Sequence, residues 1–294
     1  MSIRRWIEYT LLAVWVPWAQ ADACHDALMR FDYARAAELA QTALAGTPAD
    51  TMAGLCAARA AYETGDFESA LRRLRTVEAG APLAELRTYA WNWLTVTLRR
   101  LGREDEAFAY GRAALAAARM EGSRQNLATA LHNLAGLLYT RGDVAGALAL
   151  YREAIPLNPD LSERSASLNN VGLILQAQDD RAGAAQWIEA AIALNRAQNH
   201  FHHLSKHLMN LGNLRREAGD WAGAQALLDE GAGLVERAGD RYWIAVAARY
   251  RGWLARDRGE RADAARWFAQ AAQNYETAGA RADADAARAE AAGL

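Results

Sequence analysis

The constraint that most limits how this 294-residue chain can fold is that it repeats itself. Three stretches superpose without gaps: LHNLAGLLYTRGDVAGALALYREAI (131–155), LNNVGLILQAQDDRAGAAQWIEAAI (168–192) and LMNLGNLRREAGDWAGAQALLDEGA (208–232). Each carries an aliphatic residue, an Asn, a second aliphatic and a small residue. A Gly-Asp or Asp-Asp turn follows, then an Ala and a large apolar side chain. A fixed period of this size marks a stacked array of supersecondary units, each burying its apolar face only against its neighbours.

The frame extends both ways. Turns fall at Gly65-Asp66, Gly102-Arg103, Gly142-Asp143, Asp179-Asp180, Gly219-Asp220 and Gly259-Glu260, with a weaker one at Phe31-Asp32. The alanines that follow are Ala36, Ala70, Ala107, Ala147, Ala184, Ala224 and Ala264, spaced by 34, 37, 40, 37, 40 and 40 residues. A helical turn takes about 3.6 residues, so these increments lengthen helices rather than insert loops. Leu131, Leu134 and Leu138 recur at helical steps, as do Ala147, Leu150, Ala154 and Leu157 in the following segment. Gly tolerates a positive φ at the end of one helix, and Asp caps the start of the next. No strand alternation is visible, and of the five prolines Pro156 and Pro159 close one unit.

These features resemble the tetratricopeptide repeat, over nearly the whole chain from about Pro17 to Ala280. The resemblance rests on the small residue of the first helix (Ala58, Thr95, Ala135, Gly172, Gly212, Gly252), the turn, the following Ala and the packer (Leu74, Tyr151, Ile188, Leu228, Phe268). The family's closing proline is present only at Pro48 and Pro159. The resemblance implies an all-α, right-handed superhelical solenoid of antiparallel helix pairs, about seven repeats with a 34–40-residue period. The array is expected over 22–280, with a C-terminal capping helix over 281–294.

The N-terminus reads differently. Met1–Arg5 is basic, Thr10–Trp18 is apolar, and Ala19-Gln20-Ala21 has the small-x-small form of a signal-peptidase site. Residues 1–21 are therefore expected to direct export to the periplasm or beyond, the alternative being an N-terminal cap on a cytoplasmic array. The apolar run is too short for a stable membrane anchor. Cys24 and Cys56 fall in the first helices of adjacent units, so they are either a disulfide favoured by an oxidising compartment or two small buried packers.

Chemistry is scarce. There is no nucleophile elbow, no phosphate-cradling glycine loop, no H-E-x-x-H and no C-x-x-C, so no catalytic residue, metal site or cofactor is expected. His203 and His207 share a helix face but lack the further ligands that a structural zinc site needs. A net charge of −2 argues against a polyanion-binding protein and so against a nucleic-acid partner.

What remains is a binding surface. In the tetratricopeptide family the first helices line a concave groove, and an Asn there often holds the main chain of an extended peptide. Asn133, Asn170 and Asn210 occupy that position here. An amide offers donor and acceptor together, so it can pair with either backbone group of a strand; the plainer alternative is that it bonds within the protein. By the same register His132, Tyr139, Asn169, Gln176, Lys206, Asn213, Arg216, Arg249, Trp253 and Arg256 should lie in or beside the groove, with Arg99 and Arg100 at its entrance. Arginines favour carboxylates, so the expected partner is a protein or peptide segment of acidic character. The alternatives are a structural or oligomerising scaffold of a multiprotein assembly and, further off, a metal-binding protein.

Overall fold

The structure, a computed structural model, describes residues 23–294 apart from 29, 31, 82, 199 and 200; the expected export segment over 1–21 lies outside the described residues. Among the described residues every regular element is helical. The chain divides into two compact units, the first ending at Leu157 and the second beginning at Asn158. The first unit holds α1 (23–28), α2 (Tyr33–Gly46), α3 (Thr51–Glu63), α4 (Phe67–Gly80), α5 (Ala84–Arg100), α6 (Glu104–Glu121), α7 (Arg124–Thr140) and α8 (Val144–Leu157). The second holds α9 (Leu161–Ala177), α10 (Arg181–Gln198), α11 (Phe201–Glu217), α12 (Trp221–Ala238), α13 (Arg241–Asp257), α14 (Arg261–Thr277) and α15 (Arg281–Ala292). Within each unit consecutive helices pack together, and odd-numbered helices also touch the next odd-numbered one, as α5 touches α7 and α9 touches α11. Among the described residues no helix is long and apolar enough to cross a membrane.

The turns have the chemistry their residues dictate. Gly65, Gly102, Gly142, Gly219 and Gly259 all have φ between 72° and 84°. Each lets the next residue's N–H reach back over the end of the helix, as Asp143 does to the Leu138 carbonyl at 2.9 Å and Glu260 to Ala255 at 2.9 Å. Asp179 adopts the same conformation at φ 64°, a strained choice for a residue with a Cβ. The Asp that follows then caps the next helix: Asp220 accepts from the Gly223 N–H at 3.0 Å and Asp180 from Gly183 at 2.9 Å. Where Arg103 and Glu260 take its place, no side-chain cap forms.

The packing across each helix pair follows one rule. The small residue of the first helix stands opposite the residue sixteen positions later in the second: Ala58 with Leu74, Ala135 with Tyr151, Gly172 with Ile188, Gly212 with Leu228, Gly252 with Phe268. A Cβ added to Gly172 would lie 2.6 Å from Ile188 Cγ1, one on Gly212 2.9 Å from Leu228 Cγ, and one on Gly252 2.7 Å from two Phe268 ring carbons. In the α5–α6 pair the sizes are exchanged: Thr95 occupies the small position, and sixteen residues on stands Gly111, whose Cβ would meet Thr95 Cγ2 at 3.3 Å. The close approach is thus kept while the helix that supplies the small residue changes, as close packing allows.

Two further ties hold the first unit. Cys24 of α1 is joined to Cys56 of α3 as a disulfide, with Cα atoms 6.4 Å apart. Closing a loop across a separation of 32 residues stabilises by about 3–4 kcal/mol in the chain-entropy account. The Glu78 carboxylate of α4 accepts from Trp91 Nε1 of α5 at 2.7 Å and from the Tyr110 hydroxyl of α6 at 3.0 Å, binding three helices through one side chain. In α8 the helix runs one residue past Pro156, so the unit closes at Leu157 rather than at the proline itself.

Replacing Gly252 by Ala forces its methyl against a ring that is fully buried. Overpacking of this kind costs about 1–3 kcal/mol. Thermal unfolding followed by circular dichroism should show a lower melting temperature for Gly252→Ala, restored in part when Phe268→Leu is added.

Candidate functional site

The turn residue of positive φ gives each first helix a common origin. Counting back three residues from it reaches Tyr62, Arg99, Tyr139, Gln176, Arg216 and Arg256; counting back six reaches Arg59, Val96, Gly136, Leu173, Asn213 and Trp253. Nine back lie Cys56, Trp93, Asn133, Asn170, Asn210 and Tyr250. In both units the first two registers are exposed or half-buried in every helix, except at Gly136, which is buried. The third is more enclosed, with Cys56 and Asn133 buried.

In the first unit Asn133 corrects the expectation placed on it. It is 8% exposed, and its amide donates to the Asn92 carbonyl of α5 at 3.2 Å. The side chain therefore ties one first helix to the next instead of standing open to a ligand. His132 turns its ring edge onto Tyr151 at 5.2 Å, on the α8 side. Tyr139 is 40% exposed at the end of α7, as expected. Arg99 and Arg100 are exposed, Arg100 with its guanidinium 5.6 Å from the Phe67 ring.

The sequence reading missed a cleft of about 340 Å³ between α1, α3, α5 and the start of α7. Met52, Leu55, Arg59, Leu86 and Tyr89 line it, with Glu85 on its wall. Arg59 stacks over Trp93 at 5.6 Å, and Trp93 is itself held edge-on by Tyr62 at 5.3 Å and Tyr89 at 6.5 Å. The register carried the signal: Arg59 occupies the same place in α3 as Asn213 in α11 and Trp253 in α13.

In the second unit Asn169 is buried and its Oδ1 accepts from Asn210 Nδ2 at 3.0 Å, so this pair is also an internal tie. Asn170 is half-buried. Gln176, Asn213 and Arg216 converge on Glu217: Gln176 Nε2 donates to it at 2.7 Å and Asn213 Nδ2 at 3.0 Å, while Arg216 Nε donates to Asn213 Oδ1 at 3.0 Å. Arg216 also pairs with Asp257. Arg256 holds the same carboxylate, at 3.1 Å. Arg249 grips Glu290 of α15 with two nitrogens, at 2.9 and 2.7 Å, and this pairing holds its guanidinium well above the usual range. Arg216 and Arg249 both lie over the Trp253 ring, at 5.7 and 5.0 Å, and Tyr250 is 5.1 Å from it. Lys206 rests on Trp243 at 4.6 Å. The arginines expected to receive a ligand's carboxylates already hold the chain's own.

Comparison with known proteins places this geometry. The tetratricopeptide repeat family matches residues 87–160 and again residues 164–197. Among solved structures the chain is similar to BtubC from P. vanneervenii, with 22% identity, a TM-score of 0.55, and coverage of 76% of this chain and 92% of that one. It is similar to the Rap conjugation gene regulator of plasmid pLS20 in complex with the Phr* peptide, with 17% identity, TM-score 0.70, and 90% and 75% coverage. It also matches a Rap protein complexed with competence and sporulation factor, with 12% identity, TM-score 0.63, and 94% and 96% coverage. At these identities the likeness is one of fold. No curated relative matches the chain.

A buried polar cluster lies apart from this face. Ser165 of α9, Asn195 of α10 and His207 of α11 are each at most 3% exposed. Ser165 Oγ donates to Asn195 Oδ1 at 3.1 Å and lies 3.4 Å from His207 Nε2. His203 is near, with ring centroids 6.1 Å apart, but among the described residues no three His, Cys, Asp or Glu side chains are placed to hold a metal ion. Burial, with smaller contributions from His203 and Lys206, pushes His207 down to about 3.

An imidazole that stays neutral when folded but protonates when unfolded removes stability as pH falls from about 6.5 toward 3, because the unfolded chain then binds the extra proton. Between pH 6.5 and 5 the loss amounts to roughly 2 kcal/mol. Melting curves at the two pH values should show a larger drop for the wild-type chain than for His207→Gln; equal drops would remove His207 as the cause.

Proposed function

We propose, from the premise that this chain is a tetratricopeptide-repeat protein, that it is a protein-interaction module without catalytic activity of its own, binding an extended segment of a partner along its first-helix face. The observation that carries this reading is the pair of registers three and six residues before each turn, exposed or half-buried in every first helix except at Gly136. They present Tyr62, Arg59 and Tyr139 in the first unit, and Trp253, Asn213 and Arg256 in the second. Side chains repeated at a fixed interval suit a ligand whose own residues repeat at a fixed rise, which is an extended chain. That the Rap regulator of pLS20 was solved with a peptide supports the same use of the fold.

The acidic character first expected from Arg216, Arg249 and Arg256 needs revision in the second unit. A ligand carboxylate there would have to displace Asp257 or Glu290. Exchange of one carboxylate for another yields little net energy. The second unit is therefore assigned a polar segment that lays a flat or apolar group on Trp253, with its arginines as the rim.

Peptides selected from a random display library against the whole chain should fall at least tenfold in affinity when Trp253→Ala is introduced, measured below the lowered melting temperature that the loss of its packing on Phe268 causes, where circular dichroism shows the helices intact. Selected peptides that bind this variant as well as the parent would remove the second unit's face from the proposal.

Export remains part of the proposal, supported by the basic–apolar–small order of residues 1–21 and by a disulfide in the residue pair that follows. Mass spectrometry of the protein from its native cell should find a new N-terminus near Ala21 and no free thiol. An intact Met1 with two free thiols would place it in the cytoplasm.

A further inference from the structure

We infer that the cleft in the first unit is a subsite for an acidic side chain of the bound segment, with Arg59 as the residue that recognises the carboxylate and an adjacent apolar side chain seated between Met52, Leu55, Leu86 and Tyr89. This inference rests on the proposed peptide-binding role and names the chemistry of one subsite within it.

Arg59 is the arginine of the first unit's face that lines the cleft. Its Nε is buried without a hydrogen-bond partner, and among the described residues it forms no ion pair. Arg216, Arg249 and Arg256, at neighbouring registers of the second unit, each hold a carboxylate of the chain. The terminal Nη donors are not enclosed in this way, so they are the ones that meet an acceptor in the cleft, and among the described residues no carboxylate of the chain holds them.

The group is also held in position. Its guanidinium lies over Trp93 at 5.6 Å, and Trp93 is flanked by Tyr62 and Tyr89. The ring contact restrains where the guanidinium lies, and a guanidinium suits a planar acceptor such as a carboxylate. Glu85 shares the cleft wall but pairs with Arg59 neither by ion pair nor by hydrogen bond. Asn126, beside it, has its amide committed to the Glu85 carbonyl at 3.1 Å. Arg59 is left as the cation facing the cleft.

Apolar surface adjoins it. Met52 is 43% exposed on α3, and Leu55, Leu86 and Tyr89 continue the same wall. The accessible register runs on from Tyr62 through Arg99 to Tyr139. A ligand seated at Arg59 therefore passes through the cleft rather than ending in it. The carboxylate is accordingly that of an Asp or Glu side chain, not a chain terminus.

The experiment uses three fluorescent hexapeptides and the whole chain, read by anisotropy. One alternates Glu and Leu with both ends blocked; the second replaces Glu by Gln, also blocked; the third is the Gln–Leu peptide with a free C-terminal carboxylate. The blocked Glu–Leu peptide should bind best, about tenfold to a hundredfold better than either Gln–Leu peptide, and lose that advantage with Arg59→Gln. Arg59→Lys should recover part of it, since charge returns without the fork, and the preference should weaken in high salt. The melting temperature of Arg59→Gln should fall only slightly, because the contact with Trp93 is lost but no ion pair within the described residues is. Equal binding of the Glu–Leu peptide by parent and Arg59→Gln overturns this inference while leaving the groove reading intact. Equivalent binding of the free-acid Gln–Leu peptide overturns the choice of a side-chain carboxylate. Failure of all three peptides to bind overturns both readings.

Discussion

Everything in this structure depends on two helices of a pair approaching closely enough for a side chain of one to fill the space left by a missing side chain of the other. The sixteen-residue offset between Gly252 and Phe268, Gly212 and Leu228, and Gly172 and Ile188 is that contact, repeated. Because the offset is the same in each pair, consecutive first helices arrive in the same register, and whatever they expose recurs. In the α5–α6 pair the same offset holds with the glycine on the other helix: Thr95 faces Gly111. The turn chemistry serves the same end. A residue of positive φ and a capping Asp fix where one helix stops and the next begins, and so fix the offset.

The face presented by the first helices has two parts with different electrostatic states. In the second unit the arginines are neutralised in place, Arg249 by Glu290, Arg216 and Arg256 by Asp257, and they surround Trp253. Their role there is to hold neighbouring helices and to shape a flat polar–aromatic platform. In the first unit the aromatic cluster of Trp93, Tyr62 and Tyr89 carries a guanidinium that no carboxylate answers.

The asparagines show where sequence reasoning chose between two readings without the means to decide. Asn133 and Asn210 share a register, and an amide at that register can serve a ligand or a neighbouring helix equally well. Asn133 donates to the Asn92 carbonyl and Asn210 to Asn169, each partner 41 residues earlier in the chain. The same 41-residue step connects Gln176 with Glu217, Arg216 with Asp257 and Arg249 with Glu290. It is a full repeat plus one residue, visible in the numbering, yet which polar groups it brings within 3 Å depends on how each first helix is rotated against the next.

The sequence by itself determined the helices, the turns and the order of units, because those follow from local chemistry: glycine's tolerance of positive φ, aspartate at an N-cap, and apolar residues at helical spacing. It also determined which residues share a face, since the period of a helix assigns them. The tertiary structure alone decided what each of those residues does there. Whether Arg249 waits for a ligand or holds Glu290, whether Cys24 meets Cys56, and whether Arg59 opens into a cleft are set by distances between helices far apart in sequence. Pairing and burial are properties of neighbours, and a repeat pattern specifies the spacing of neighbours without specifying their charge.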